Sequence, residues 1–181
     1  PNPARFDLKK AEAINAAHIR KLSAGDFKAR LLPYLQSAGI VGASLSAEED
    51  AILEAAAPLI KERLQVLSEA PDLVEFLFKT ADQIVVAEDA LAGMPENVVE
   101  VLDAAVAALG KIDAENFKTE PVQAALQQAL IEELGLKPRL AFGPLRTGIS
   151  GRRISPPLFE SMEILGKAET IARLEAFARS R

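Results

Sequence analysis

The sequence contains no cysteine and a single histidine, His18. No disulfide framework can hold it, a thiolate metal site is excluded, and a histidine-based metal or acid–base centre lacks ligands. Aromatic residues make up only 5% of the chain and β-branched runs are few, while hydrophobic residues reach 49%, largely Ala and Leu. That balance favours helix over sheet. No apolar run approaches the ~20 residues of a membrane span, and no secretory leader opens the chain. The expectation is a soluble, cytoplasmic protein with no membrane partner. The nucleotide-binding patterns GxGxxG and GxxxxGK(S/T) are missing, as are internal repeats and low-complexity tracts. The first residue is Pro1 and Asn2-Pro3 reads as loop, so the chain reads as a piece of something longer.

What is present is a strong charge contrast. At 181 residues the chain can bury one ordinary core or two small ones. Its net charge is −5 and its pI about 5.1. Residues 137–181 nevertheless hold nine Lys/Arg against four Glu (+5), and residues 1–30 hold seven against three acids (+4). Residues 31–136 hold five against nineteen (−14). The field at a contact surface matters more than the total, so two basic ends leave a nucleic-acid partner open.

Periodicity and punctuation predict an all-α chain. Asp7 caps a first helix ending near Gly25, and Asp26 caps a second that Pro33 bends and Gly39 closes. Ser46 with Glu49 forms a capping box, after which Pro58 splits two helices running to about Leu67. Another helix spans residues 73–78, where Leu73, Phe76, Leu77 and Phe78 form the densest apolar cluster of the first half. Gly93-Met94-Pro95 reads as a boundary, giving helical subdomains at residues 1–93 and 94–181. Pro95 opens the next helix, which stops at Gly110. Thr119 and Pro121 begin one that stops at Gly135, Ser155 caps another, and Gly166 separates it from the last. Between Gly135 and Ser155, residues 137–156 read as a long basic loop.

Loops of that length tend to be functional or disordered. Its glycines and prolines suit tight turns that present Arg146, Arg152 and Arg153 outward, where a guanidinium can grip phosphate or a base edge. A solvated loop with charges for solubility explains the same composition equally well. Arg63 reads as a surface arginine on the helix of Leu59, Ile60 and Leu64. His18, near a helix end, complements the dipole. The acidic runs Glu48-Glu49-Asp50 and Glu132-Glu133 read as helix-surface charge, since no His, Ser or Cys partner accompanies them. No catalytic residue and no metal site is assigned.

Two segments resemble the C-terminal half of bacterial glutamyl-tRNA synthetases, especially the actinobacterial type. ARFDLKKAEAINAAHIRKL (residues 4–22) is similar to the family's Phe-Asp…Lys…Asn…Ile-Arg segment. GPLRTGISGRRISPPLFESMEILGKAETIARL (residues 143–174) is similar to its Pro-Leu-Arg, Thr-Gly, Ser-Pro, Leu-Phe-Glu, Leu-Gly-Lys and Arg-Leu series in order. PYLQSAG and LIKERLQVLSEAPDLVEFLF fit the family's middle, so the resemblance covers nearly the whole chain. There are departures. Ile14 stands where many members carry Trp, His18 where they often carry Tyr, and Thr147 follows Arg146 directly, shortening the spacer before Thr-Gly. The catalytic signatures His-Ile-Gly-His and Lys-Met-Ser-Lys-Ser are missing.

The resemblance implies an all-α anticodon-binding region of two subdomains, a class I aminoacyl-tRNA synthetase helix bundle or cage. It implies that Arg146 and Leu158 contact the first anticodon base and that Arg63 reads the third, where cytosine marks a glutamate anticodon and guanine a glutamine one. Such a contact is worth about 1–3 kcal/mol by analogy with groove readout. Lys9, Lys10, Arg20, Arg152 and Arg153 are candidate phosphate contacts, adding affinity and salt dependence. The expected partner is tRNA, of glutamate isoacceptors and, in a non-discriminating enzyme, glutamine ones, with no DNA and a monomeric state. No cofactor is expected in this chain, ATP and Mg belonging to the full-length enzyme. The rival reading is a helical protein-interaction module in which the residue 73–78 cluster docks a partner and the arginines are solvated.

Overall fold

Side-chain caps set the helix starts of the first unit. In the computed structural model, which describes residues 7–181, Asp7 Oδ1 accepts from the Lys10 amide at 3.2 Å and opens α1, Leu8–Lys21. Ser23 Oγ accepts from the Asp26 amide at 3.1 Å and opens α2, Ala24–Ser37. Ser46 and Glu49 close the expected capping box at the head of α3, Ala47–Lys61. Each device satisfies amides that have no intrahelical acceptor. Asp26 is therefore not the cap of α2. It sits one turn inside, where its carboxylate accepts from Ser23 Oγ at 2.7 Å.

Neither proline breaks its helix. Pro33 lies inside α2 and Pro58 inside α3, both exposed. The carbonyls they release, those of Ala29 and Glu54, belong to exposed residues, so the lost hydrogen bonds fall on the wet side of each helix. What ends α3 is Glu69. Its carboxylate takes the amides of Gln65 (2.9 Å) and Val66 (3.4 Å), which can then no longer extend the helix toward Leu67. α4, Ala70–Val74, runs on into a 3-10 turn at Glu75–Phe78. Phe27, Leu31, Leu53, Ile60, Phe76 and Leu77 are buried, so Phe76 and Leu77 of the residue 73–78 cluster are spent inside the chain, with Leu73 and Phe78 partly covered.

The second unit begins at Lys79, since the chain divides between Phe78 and Lys79 and not at residue 93. The reason is that residues 79–93 are tied to later helices. Arg173 Nη2 donates to the Lys79 carbonyl, the Ala87 amide to the Gly151 carbonyl at 2.8 Å, and Thr147 Oγ1 to the Ala90 carbonyl at 3.3 Å. α5 spans Val98–Gly110, and α6, Thr119–Leu126, continues as a π-helical segment, Gln127–Glu133. α7 spans Pro138–Ser150 and α8 Leu158–Arg179. α8 packs on α5, α6 and α7. Its Glu163 Oε2 accepts from Thr119 N (2.7 Å) and Oγ1 (2.6 Å) at the head of α6, and its Lys167 Nζ donates to the carbonyls of Gly110 (2.9 Å) and Ile112 (2.6 Å) at the foot of α5. Gly166, at φ 76° and ψ 168°, kinks α8 between these two groups, as its position in the sequence suggests. Among the described residues there is no strand, in keeping with an all-α chain.

The largest departure from the sequence reading is α7 itself. Residues 137–156 are not a loop, because Pro138–Ser150 is helical and only residues 151–157 connect it to α8. Pro138 occupies the first turn, where its missing amide costs nothing. Ala141, Leu145 and Ile149 recur at four-residue spacing and are buried, and that apolar stripe outweighs the punctuation of Gly143-Pro144. The helix stops at Gly151, whose φ of 70° and close neighbour admit only glycine: a Cβ there would stand 2.3 Å from the Val85 carbonyl oxygen. Asn2-Pro3 and the beginning of the residue 4–22 segment lie outside the described residues.

Candidate nucleic-acid interface

Because residues 138–150 are helical, side chains three, four and seven residues apart share a face. Arg139, Phe142, Gly143 and Arg146 follow that spacing along α7 and line one cleft of about 310 Å³. Met94 and Arg153 line it as well. Phe142 is held against Phe159 of α8 in an edge-to-face pair, ring centroids 5.3 Å apart. The cleft thus collects three guanidiniums and an aromatic ring within a chain that is acidic overall.

Arg146 does not point freely outward. It is half-buried, and its Nη1 donates to Ser155 Oγ at 2.6 Å, to the Pro156 carbonyl at 2.9 Å and to the Ser155 carbonyl at 3.2 Å. Ser155 is therefore a partner of Arg146 and not a helix cap; Pro157 occupies the cap position of α8. This staple fixes the approach to α8 relative to α7 and orients the rest of the guanidinium. Arg152 and Arg153 stand exposed on the connection. Leu158 is buried at 4% exposure, so its side chain offers little surface to any ligand.

The other sequence candidates lie in the first unit. Arg63 is exposed, in the turn beyond α3, with its amide donating to the Ile60 carbonyl at 2.9 Å. Lys9 and Lys10 are exposed on the first turn of α1. Lys9 and Arg20 line a hollow of about 470 Å³ together with Glu12 and Gln65, and Arg20 pairs with Glu62 at 3.2 Å. The structure thus gathers Arg146 with Arg153, and Lys9 with Arg20. Arg139 and Phe142 are absent from the sequence candidates. Once residues 138–150 are known to be helical, their spacing from Arg146 places them on its face.

One further arginine is structural. The Arg173 side chain is fully buried, bonded to Glu169 Oε1 at 2.7 Å, the Ile149 carbonyl at 2.8 Å and the Lys79 carbonyl. Burial pushes its pKa down and Glu169 pulls it back up, and a guanidinium stays charged at neutral pH. It pins the end of α7, next to the cleft, to the start of the second unit. Among the described residues no group of three or more His, Cys, Asp or Glu could hold a metal ion, and no helix is long and apolar enough to cross a membrane.

Guanidinium donors, an aromatic ring and a cleft on a rigid helix define the class: an all-helical binding region with the chemistry of an RNA contact surface. Residues 26–178 match the family described as anticodon binding domain, and the chain belongs to that family. It is 62% identical over 176 residues to a glutamate–tRNA ligase of Arthrobacter sp. (strain FB24), covering 97% of this chain and 34% of that protein. Its identity to a glutamate–tRNA ligase of Paenarthrobacter aurescens (strain TC1) is 60% over 176 residues, covering 97% of this chain and 34% of the relative. The chain spans about a third of the length of the curated relatives it matches. A crystal structure of a glutamate tRNA ligase from Elizabethkingia meningosepticum CCUG26117 shares the fold. Its TM-score is 0.76 at 24% identity, over 98% of this chain and 33% of that one. The protein-interaction module is not favoured, given the family match and these relatives.

Proposed function

We propose that this chain is the anticodon-binding region of a glutamate–tRNA ligase and that it selects glutamate tRNA for the intact enzyme. The observation that carries the reading is the arginine-lined cleft of α7 in a chain this similar to such ligases. ATP-dependent glutamylation, with its magnesium, is assigned to other residues of the full-length enzyme, which acts in the cytoplasm. Anticodon binding energy helps position the distant acceptor end and so contributes to turnover there. Arg146 addresses the first anticodon base. With Leu158 buried, a contact at that position falls to its main chain, in the first turn of α8, where amides lack intrahelical acceptors. Arg63 reads the third base: a guanidinium donates to the acceptor edge of cytosine, whereas guanine presents a donor and a larger ring. Exclusion of glutamine tRNA follows from that preference. Lys9, Lys10, Arg20, Arg152 and Arg153 contribute phosphate contacts, and the chain works as a monomer.

The test is fluorescence anisotropy at low salt with a glutamate anticodon stem-loop. Arg146→Ala should weaken binding, and Arg63→Gln should narrow the preference for cytosine over guanine at the third position. An Arg63→Gln variant with the full wild-type preference would remove Arg63 from recognition, and undiminished affinity in Arg146→Ala would remove Arg146.

A further inference from the structure

Resting on the anticodon-binding reading, we infer that Arg139 is a further tRNA-binding residue, one that grips the backbone phosphate beside the nucleotide whose base enters the α7 cleft. The cleft's volume of about 310 Å³ lies at the small end of the ~300–1,000 Å³ range of small-ligand sites, which suits one unpaired nucleotide rather than a duplex. Arg139 and Arg153 both line it, both are exposed, and neither side chain makes a hydrogen bond or ion pair among the described residues. By contrast, the half-buried Arg146 has its Nη1 committed to Ser155 and Pro156.

This difference divides the labour. A base edge is neutral and rewards a donor fixed in place and partly shielded from water, which describes Arg146. A guanidinium in open solvent draws its partner mainly by full charge, so the exposed Arg139 suits a phosphate. Seven residues along a helix separate the two arginines, about 10 Å of axial rise, so one end of the cleft can take a base while the other takes backbone. Phe142, between them on the same face, supplies apolar wall against the base.

The experiment uses the 181-residue chain and glutamate anticodon stem-loops carrying a single neutral methylphosphonate on either side of the first anticodon nucleotide. Wild type should lose about tenfold in affinity for one of the two hairpins, as expected for a charge-assisted hydrogen bond. Arg139→Ala should lose a similar factor on the unmodified hairpin and be indifferent to the modification. Its plot of log affinity against log salt should be shallower by about 0.7, one single-strand phosphate contact. Arg139→Lys should retain the wild-type slope, and Lys111→Ala, exposed and outside the cleft, the wild-type sensitivity to methylphosphonate. The proposal is overturned if Arg139→Ala remains as sensitive as wild type at both linkages, or if its salt slope is unchanged. Failure of the underlying reading looks different: wild type would then not distinguish the glutamate hairpin from one with a replaced anticodon.

Discussion

Replacing Arg173 is the sharpest test of how the second unit is held together. The side chain is fully buried and bonds the carbonyls of Ile149 and Lys79 as well as Glu169. Arg173→Met keeps much of the volume but removes every donor. Each buried carbonyl left without a partner costs about 1–3 kcal/mol. Against this, the guanidinium's own burial is unfavourable, and its removal returns part of the loss. Glu169, 28% exposed, is readily rehydrated and adds little. The net expectation is a destabilisation of about 2 kcal/mol, a fall in Tm of about 4–8 °C for a chain of this size. Arg173→Ala adds a cavity to the lost donors, and with about 2–5 kcal/mol for large-to-small core changes on top of them it should exceed about 4 kcal/mol. Glu169→Gln should cost least, about 1 kcal/mol, because the partner it weakens keeps its carbonyl acceptors. Urea unfolding followed by circular dichroism measures all three. An Arg173→Met protein as stable as wild type would refute the reasoning, since the desolvation of the guanidinium would then equal everything its hydrogen bonds contribute.

Two further outcomes follow from local geometry. Gly151→Ala should destabilise by about 3 kcal/mol, combining left-handed strain with a clash against the Val85 carbonyl, whereas Gly135→Ala, at φ 65° with open space around it, should cost only about 1 kcal/mol; thermal melts of the pair separate strain from collision. Hydrogen bonds from Thr119, then the charge of Lys118, hold the Glu163 pKa below its ordinary 4.5. The stability this gives is complete above that ordinary value and is lost as pH falls through the lower native one, so Glu163→Gln should flatten the acid limb of the stability–pH curve, and an unchanged limb would count against the cap.

The parts legible in the sequence are those decided locally. Asp7, Ser46-Glu49, Gly39 and Gly166 act through their immediate neighbours, and the structure uses each at the expected place. What was not legible depends on partners far along the chain. α7 is masked by Gly143-Pro144 because the apolar stripe that stabilises it shows its worth only against α5, far away in sequence, and against α8. Residues 79–93 join the second unit through bonds to Gly151, Thr147 and Arg173, none of them nearby in sequence. Pro58 is harmless because it faces solvent, and a sequence does not state which way a proline faces. The same holds at the site. Arg146 could be singled out, but its staple to Ser155, the burial of Leu158 and the alignment of Arg139 and Phe142 all require α7 to be a helix.

The most direct measurement is the affinity of the wild-type chain, by fluorescence anisotropy at low salt, for a glutamate anticodon stem-loop and for the same hairpin with its three anticodon nucleotides replaced. With Arg146 and Arg63 each discriminating by about 1–3 kcal/mol, the glutamate hairpin should bind at least tenfold more tightly. Equal affinity for the two hairpins would contradict the account, reducing the arginine-lined cleft to a site for RNA of any sequence.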